Sequence, residues 1–158
     1  MTRRQSWLFK TEPLEFSIDN LAAVADHATG WTGIRNYMAR NLIRDKVRLG
    51  DLLFVYHSSI DDKGIAGIAK VIRDAYPDPT AFDSASEYFD PKSHPAKPTW
   101  YAVDVRLVKM FSRVVLLSQL KKTKGLEKMM VCQRGARLSI QPVTPKEWEI
   151  VCQLAAKS

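Results

Sequence analysis

The sequence predicts an α+β domain in which a curved sheet or partial barrel is accompanied by short helices. Three observations support this class. Strand-like apolar runs alternate irregularly with short helical patterns, the strand–helix–strand rhythm of a parallel sheet is missing, and no linker or internal repeat divides the chain. A chain of 158 residues, 46% of them hydrophobic, can bury about 70% of its unfolded surface. We therefore expect one domain over residues 1–158.

The N-terminal third of the chain predicts one strand and two helices. Residues 7–10 are a short apolar run typical of a strand. Ser17 is a favourable N-cap, and the apolar periodicity after it predicts a helix that ends between residues 27 and 30. A loop over residues 31–33 then leads to a second predicted helix over residues 34–46.

The middle of the chain predicts a hairpin, a long loop and the longest strand. Residues 52–58 form the first arm, residues 61–64 supply turn chemistry, and residues 65–72 return as the second arm. Residues 76–99 are rich in Pro, Asp and Ser and predict a loop. Loops of this length are uncommon inside domains and tend to be functional. Residues 100–110 then alternate like a strand.

The C-terminal part predicts helix, turn, strand and helix. Residues 116–130 have a helical pattern that Gly125 breaks into two pieces, and residues 133–137 form a basic turn. A short strand follows over residues 138–141. Thr144 opens a capping box with proline at the first helical position, which predicts the final helix.

The balance of charge favours a polyanionic partner. Lys and Arg number 24 against 17 for Asp and Glu, a net charge of +7. Basic residues cluster over residues 35–48 and again over residues 121–137. No apolar stretch approaches the length that crosses a bilayer, and no secretory signal opens the chain, so we expect no membrane association.

Templates for enzymes and metal sites find little support. No phosphate-binding glycine loop, nucleophile elbow or zinc-protease motif occurs. The three histidines are scattered, and two cysteines cannot form a disulfide framework or a four-ligand zinc site. We expect no catalytic residue, metal or other cofactor. Lys10 and Glu12 flank the end of a strand, where they could border a pocket or form a surface ion pair.

Aromatic and amide side chains support the hypothesis that the protein binds nucleic acid. Trp31 lies in a glycine-flanked loop and Tyr37 lies beside the basic stripe of the second helix. Such rings stack on bases, and nearby amides and hydroxyls can bond to base edges. From the residues alone, Trp31 and Tyr37 could equally be core residues that cover helix ends.

Eight ordered segments resemble the EVE domain family. The most specific is the run from Trp31 to Asn41, WTGIRNYMARN. The eight segments cover residues 7–13, 17–21, 31–41, 56–58, 64–67, 75–78, 100–105 and 138–144. The resemblance spans the chain from about Ser6 to Leu154. It implies a PUA-like fold, a twisted β-barrel of about five to six strands surrounded by short helices, with its core over about residues 6–154.

The resemblance also implies a function and a site. Family members read modified bases in a pocket with aromatic walls, so we expect binding to DNA or RNA that carries methylated or hydroxymethylated cytosine or N6-methyladenine. By position, the pocket residues would be Trp31, Asn36, Tyr37, Arg40, Asn41, Lys10, Glu12, Tyr56, His57, Ser58, Ser139 and Gln141. Candidate phosphate contacts are Arg40, Arg44, Arg134 and Arg137.

Two departures and two alternatives stay open. Met38 stands where the family usually has glutamine and Thr11 where it usually has serine, which could alter ligand preference. The same pocket could serve a nucleotide or nucleoside hydrolase that uses Lys10 with Glu12 or His57 for acid–base chemistry, or the domain could bind proteins. No long basic N-terminal extension of the kind found in nuclear members is present, so we expect a cytoplasmic protein. The sequence does not fix the oligomeric state, and a monomer is the favoured expectation.

Overall fold

The computed structural model describes residues 5–135 and 137–157, which form one six-stranded mixed sheet with helices on both faces. The strands are β1 (Ser6–Thr11), β2 (Ala28–Trp31), β3 (Leu52–His57), β4 (Gly64–Pro77), β5 (Tyr101–Leu116) and β6 (Ile140–Val143). The α-helices are α1 (Ile18–Ala23), α2 (Tyr37–Asp45), α3 (Leu117–Lys121) and α4 (Pro145–Ala156). Short 3₁₀ helices cover Ala25–His27, Pro79–Phe82 and Met130–Cys132.

The strand order is β2-β5-β4-β3-β1-β6. Only β1 and β3 pair in parallel, and every other neighbouring pair is antiparallel. The predicted hairpin of β3 and β4 is confirmed. β4 and β5 extend well beyond it, and several irregularities shift their register. Such bulges increase the twist and bend of a strand pair, which lets the sheet curl.

A contact between distant strands shows how strongly the sheet curls. β2 and β1 are four places apart in the strand order, a separation of about 19 Å in a flat sheet. Nevertheless, the rings of Trp31 and Phe9 lie edge to face with centroids 5.4 Å apart. The sheet is therefore a partial barrel. In the described part of the chain, no ladder pairs β2 with β6, so the barrel is not closed.

Alternation along β1 divides the apolar side chains between two cores. Trp7 and Phe9 face the inside of the curled sheet, where they join Ile43 of α2 and other side chains of α1 and α2. Leu8 faces the outside, where Leu120 of α3 and Val151 of α4 cover it. The period of two along a strand thus decides which side chains of β1 pack on which face of the sheet.

The strand β2 is the main element that the sequence did not predict. Residues 28–31 were expected to be the end of a helix and a loop, yet they pair with β5. Asp26 and His27 have φ values of 57° and 53°, a left-handed conformation that ends helical structure. The ladder with β5, a contact distant in sequence, then fixes the strand, and no local pattern signals it.

Helix boundaries differ where caps or turns decide them. The second helix begins at Tyr37 rather than residue 34, because the side-chain oxygen of Asn36 accepts a hydrogen bond from the backbone N–H of Ala39 at 3.0 Å. The N-cap at Ser17 and the capping box at Thr144 are confirmed, and Ser17 also forms a capping box, with Asn20. The helix predicted over residues 116–130 is only the short α3, followed by turns and a 3₁₀ helix, because β5 continues to Leu116.

Candidate functional site

A cavity of about 510 Å³ occupies the opening of the partial barrel. We call it the base cavity. Its walls come from the end of β1, the turn after it, β2 with the residues that follow, the long loop, and the chain before β6. The lining residues are Lys10, Thr11, Glu12, Glu15, Phe16, Thr29, Gly30, Trp31, Thr32, Gly33, Ile34, Arg35, Ser58, Glu87, Tyr88, Arg137 and Ser139.

The turn after β1 forms one wall of the base cavity. The backbone carbonyl of Glu12 accepts hydrogen bonds from the N–H groups of Glu15 and Phe16, both at 2.9 Å. The hydroxyl of Thr11 donates to the carbonyl of Phe16 at 2.7 Å. These bonds fix the turn, so Glu12, Glu15 and Phe16 are held at the cavity. A serine at position 11 has the same hydroxyl, so this departure preserves the bonding group.

Asp78 fixes the opposite wall from a fully buried position. Its carboxylate accepts hydrogen bonds from the backbone N–H of Gly33 at 2.9 Å and from the guanidinium of Arg35 at 3.0 Å, and two more come from the N–H and hydroxyl of Thr80. Burial alone raises the pKa of this carboxyl, but these hydrogen bonds outweigh it and hold the pKa below the ordinary value.

Arg35 and Tyr88 join the long loop to this wall. The guanidinium of Arg35 donates to the carbonyl of Tyr88 at 2.7 and 3.1 Å, so most of its donors serve the loop rather than a ligand. The ring of Tyr88 lies against Gly33, where a Cβ would come within 2.9 Å of the ring. Its hydroxyl donates to Glu15 at 3.2 Å and thereby links the two walls. Burial, with Glu15 nearby, raises the pKa of Tyr88 to about 12.

Trp31 belongs to both the core and the base cavity. Its side chain is only 8% exposed and packs edge to face on Phe9. The ring therefore presents only part of its surface to the cavity. Trp31 is therefore a core residue that also lines the cavity, and its role as a wall for a bound base stays a prediction.

Charges of both signs line the base cavity. Glu12, Glu15 and Glu87 supply three carboxylates, and Lys10 and Arg137 supply cations besides the loop-bound Arg35. Burial lowers the pKa of Lys10. Carboxylates accept hydrogen bonds and ammonium groups donate them, so the cavity can bond to a ligand edge that carries both donors and acceptors.

A second depression of about 360 Å³ adjoins the first and shares Lys10, Ser58 and Arg137 with it. We call it the basic groove. Its cationic lining residues are Lys10, Lys63, Lys121, Arg134 and Arg137. Lys10 lies above the ring of Tyr56, with its Nζ 5.8 Å from the ring centroid. Burial of Tyr56 raises the pKa of its hydroxyl to about 12, so the phenol stays protonated at neutral pH.

Five of the twelve predicted pocket residues line the base cavity. These five are Lys10, Glu12, Trp31, Ser58 and Ser139. Tyr56 lines the basic groove instead, together with the candidate phosphate contact Arg134, while Arg137 borders both.

The residues predicted from the second helix do not line the cavity. Asn36 uses its side chain as the helix cap. Tyr37 is 61% exposed and packs against Trp100, with ring centroids 5.0 Å apart. Arg40 donates to the carbonyl of Thr99 at 2.6 Å and to the side chain of Asn41 at 2.8 Å. Because α2 begins three residues later than predicted, these side chains serve the helix and the end of the long loop.

Three further predicted residues also lie elsewhere. His57 is buried, and its Nε2 accepts a hydrogen bond from the N–H of Ile18 at the start of α1. Gln141 is buried and donates to the carbonyl of Leu138 at 2.8 Å. Arg44 pairs with Asp45 at 2.7 Å on the surface of α2. Met38, the second family departure, is 67% exposed on α2 and also lies outside the cavity lining.

Sequence reasoning missed the contribution of the long loop. Tyr88 and Glu87 line the cavity, and Arg35 and Asp78 hold the loop in place. The unusual length of the segment was a signal of function, but its composition did not indicate which side chains reach the site. Thr29 and Thr32 were missed because β2 was missed.

Residues 5–135 and 137–157 contain no candidate metal site and no candidate membrane-spanning helix. No group of three or more His, Cys, Asp or Glu side chains is arranged to hold a metal ion. Each helix in this part of the chain is too short or too polar to cross a bilayer.

The EVE domain family model matches residues 5–154. The chain belongs to the EVE domain family. Human thymocyte nuclear protein 1 is 40% identical to this EVE domain over an alignment of 167 positions, gaps included, which covers 96% of this chain and 74% of the relative. The name of that relative refers to the nucleus, so a cytoplasmic location for this chain stays a prediction.

Solved structures share the fold. A crystal structure of a Pseudomonas putida protein has a TM-score of 0.90 to this EVE domain, with 47% identity over 95% of this chain and 99% of that one. A crystal structure of the human THYN1 protein, in complex with DNA that contains 5-methylcytosine, also has a TM-score of 0.90. That protein is 39% identical to this one, and the match covers 98% of this chain and 99% of that one.

Proposed function

We propose that this EVE domain binds DNA and holds a methylated cytosine in the base cavity. One observation carries the proposal: an aromatic, carboxylate-bearing cavity opens in a fold shared, at a TM-score of 0.90, with a human protein crystallised with 5-methylcytosine DNA. The cavity of about 510 Å³ lies within the range of small-ligand sites, which suits an extruded base.

The chemistry of the lining suits the edge of cytosine. The exocyclic amino group of cytosine donates hydrogen bonds, and a carboxylate is its natural acceptor. Glu12, Glu15 and Glu87 offer that acceptor. Lys10 and Ser139 can donate to the carbonyl oxygen and ring nitrogen on the same edge. The apolar surfaces of Trp31 and Phe16 suit the methyl group and the face of the ring.

Binding rather than catalysis is the better account of these residues. The alternative hydrolase uses Lys10 with Glu12 or with His57 for acid–base chemistry. His57 accepts the N–H of Ile18 and is not a lining residue of the base cavity, which argues against the version that uses His57. Lys10 and Glu12 both line the cavity, and in this proposal they act as hydrogen-bonding groups for a base edge.

Fluorescence anisotropy with matched oligonucleotides tests the proposal. The probes carry cytosine, 5-methylcytosine, 5-hydroxymethylcytosine or N6-methyladenine at one position, in single-stranded and duplex DNA and in RNA. We expect the 5-methylcytosine DNA to bind best, and single strands or mismatches to bind better than a perfect duplex, because an unpaired base is cheapest to extrude. Equal binding of methylated and unmethylated DNA would contradict the proposal.

A pair of tyrosine variants localises the site. Tyr88→Ala removes an aromatic ring from the cavity wall, and loss of one stacking contact of 1–3 kcal/mol predicts binding about ten- to a hundred-fold weaker. Tyr37→Ala removes the same side chain from the exposed start of α2 and should leave affinity unchanged. A larger loss in Tyr37→Ala would instead favour the pocket predicted from sequence. Trp31→Ala is a poorer test, because a buried tryptophan also supports the core.

A further inference from the structure

The two depressions at the open end of the barrel differ in charge. Three carboxylates line the base cavity. In the part of the chain that the structure describes, the basic groove is lined by five cationic side chains and by no carboxylate. A strongly single-signed groove next to a mixed-charge cavity suits a ligand with one anionic part and one polar, uncharged part.

The two depressions adjoin at residues that line both of them, so one ligand can extend from one depression into the other. Lys10, Ser58 and Arg137 line each of them. Ser58 is fixed by the hydrogen bond from its backbone N–H to the carbonyl of Thr11 at 2.9 Å. Lys10 lies on the outer face of β1 above Tyr56, at the point where the sheet ends. A nucleotide has an uncharged base and an anionic phosphate joined through the sugar, which matches the two adjoining depressions.

The cationic side chains of the groove and those of α2 differ in the salt bridges and hydrogen bonds that they form. Lys63, Lys121, Arg134 and Arg137 form no salt bridge with another described residue. Arg40 is hydrogen-bonded to the carbonyl of Thr99, and Arg44 is paired with Asp45. A phosphate that binds these four groove side chains therefore need not displace a carboxylate from a described salt bridge, whereas one that binds Arg44 competes with Asp45.

We propose that the basic groove binds backbone phosphates of the DNA strand whose modified base occupies the base cavity, with Lys63 and Lys121 as phosphate contacts beyond those the sequence suggested. The inference rests on the function proposed above. It replaces Arg40 and Arg44 as phosphate contacts and retains Arg134 and Arg137. Because phosphate contacts position a strand without reading its sequence, the groove supplies affinity and the cavity supplies discrimination.

The salt dependence of binding tests the groove. Four cations that each contact a phosphate of single-stranded DNA, namely Lys63, Lys121, Arg134 and Arg137, predict a slope of about −2.8 in a plot of log affinity against log salt between about 50 and about 200 mM NaCl. The double variant Lys63→Gln/Lys121→Gln should reduce the slope by about 1.4 and weaken binding about 25-fold at about 0.1 M salt. Its preference for 5-methylcytosine over cytosine should stay that of the unaltered protein.

A control with the same charge change makes the test specific. Arg44→Gln/Lys46→Gln also removes two positive charges, but these residues lie at the C-terminal end of α2 and at its C-cap, outside the lining of the groove, so this variant should keep the original slope. Thermal unfolding of all variants checks that each is folded. If the protein prefers methylated DNA but Lys63→Gln/Lys121→Gln keeps its slope, or if both double variants lose it equally, the groove assignment is overturned. If the unaltered protein shows no preference, the proposed function itself fails.

Discussion

Replacing Asp78 by asparagine should destabilise the protein and loosen the loop wall of the base cavity. Asp78 is 0% exposed, and each of its oxygens accepts two hydrogen bonds. Oδ1 accepts the N–H and the hydroxyl of Thr80, while Oδ2 accepts from Gly33 and Arg35. In asparagine, an NH₂ group replaces one of the two carboxylate oxygens. Whichever way the amide is turned, two of the four donors then face the NH₂ group and have lost their acceptor.

The magnitude follows from the groups left without an acceptor. A buried donor without a partner costs about 1–3 kcal/mol, so two of them could cost up to about 6 kcal/mol. The side chain of Arg35 is 22% exposed, and the hydroxyl of Thr80 can rotate, so part of the loss is recovered. We expect the free energy of unfolding to fall by about 3 kcal/mol. For a chain of this length, that lowers the melting temperature by roughly 6–12 °C.

Urea denaturation at neutral pH measures the change, with Asp83→Asn as the control. Asp83 is an exposed aspartate of the same loop that caps one backbone N–H, that of Ala85, and its loss should cost under about 0.5 kcal/mol. The hydrogen bonds hold the pKa of Asp78 below its ordinary value of 3.8. Its contribution is therefore present above that value and is lost as the pH falls through the folded-state pKa, a loss that Asp78→Asn should not show. An Asp78→Asn protein as stable as Asp83→Asn would refute this reasoning.

Two further predictions concern stability. Burial lowers the pKa of His57 below 6.5, so the unfolded chain binds the proton first and the free energy of unfolding should decrease as the pH falls below about 6.5. Urea titrations at several pH values should show this dependence in the unaltered protein and not in His57→Gln; an identical dependence in both would assign it to other groups. A Cβ at Gly67 would collide with the backbone carbonyl of Lys109 and with Ile18, so Gly67→Ala should lower the free energy of unfolding by about 3 kcal/mol. Gly135→Ala, which has open space but a φ of +77°, should cost only about 1 kcal/mol by thermal unfolding, and equal losses would contradict the steric argument.

The sequence predicts correctly those helices and strands whose ends are fixed by residues nearby in the chain. Ser17 and Thr144 start helices because their side chains accept backbone N–H groups three residues on, a relation visible in any sequence. The hairpin of β3 and β4 was predictable from its turn. β2 was not, because its stability comes from pairing with β5, far away in the chain.

The candidate site was predictable where it follows strand ends and not where it depends on the loop. Lys10, Glu12 and Ser58 come directly from the ends of β1 and β3, which the apolar patterns located. Tyr88 reaches the cavity only because Arg35 and other side chains hold a segment without regular structure. His57 illustrates the opposite error: its type and place at a strand end suggested a site, but it faces inward and caps α1.

The position of β1 in the sheet also governs when the molecule can fold. Its partners are β3 and β6, and β6 lies far from β1 along the chain, since Phe9 pairs with Ile140. Until β6 has left the ribosome, one edge of an apolar strand lacks its partner and is open to pairing with other chains. The base cavity likewise waits for Arg137 and Ser139. Contacts this distant in sequence slow folding, so we expect binding activity to appear only after the chain through β6 has been made.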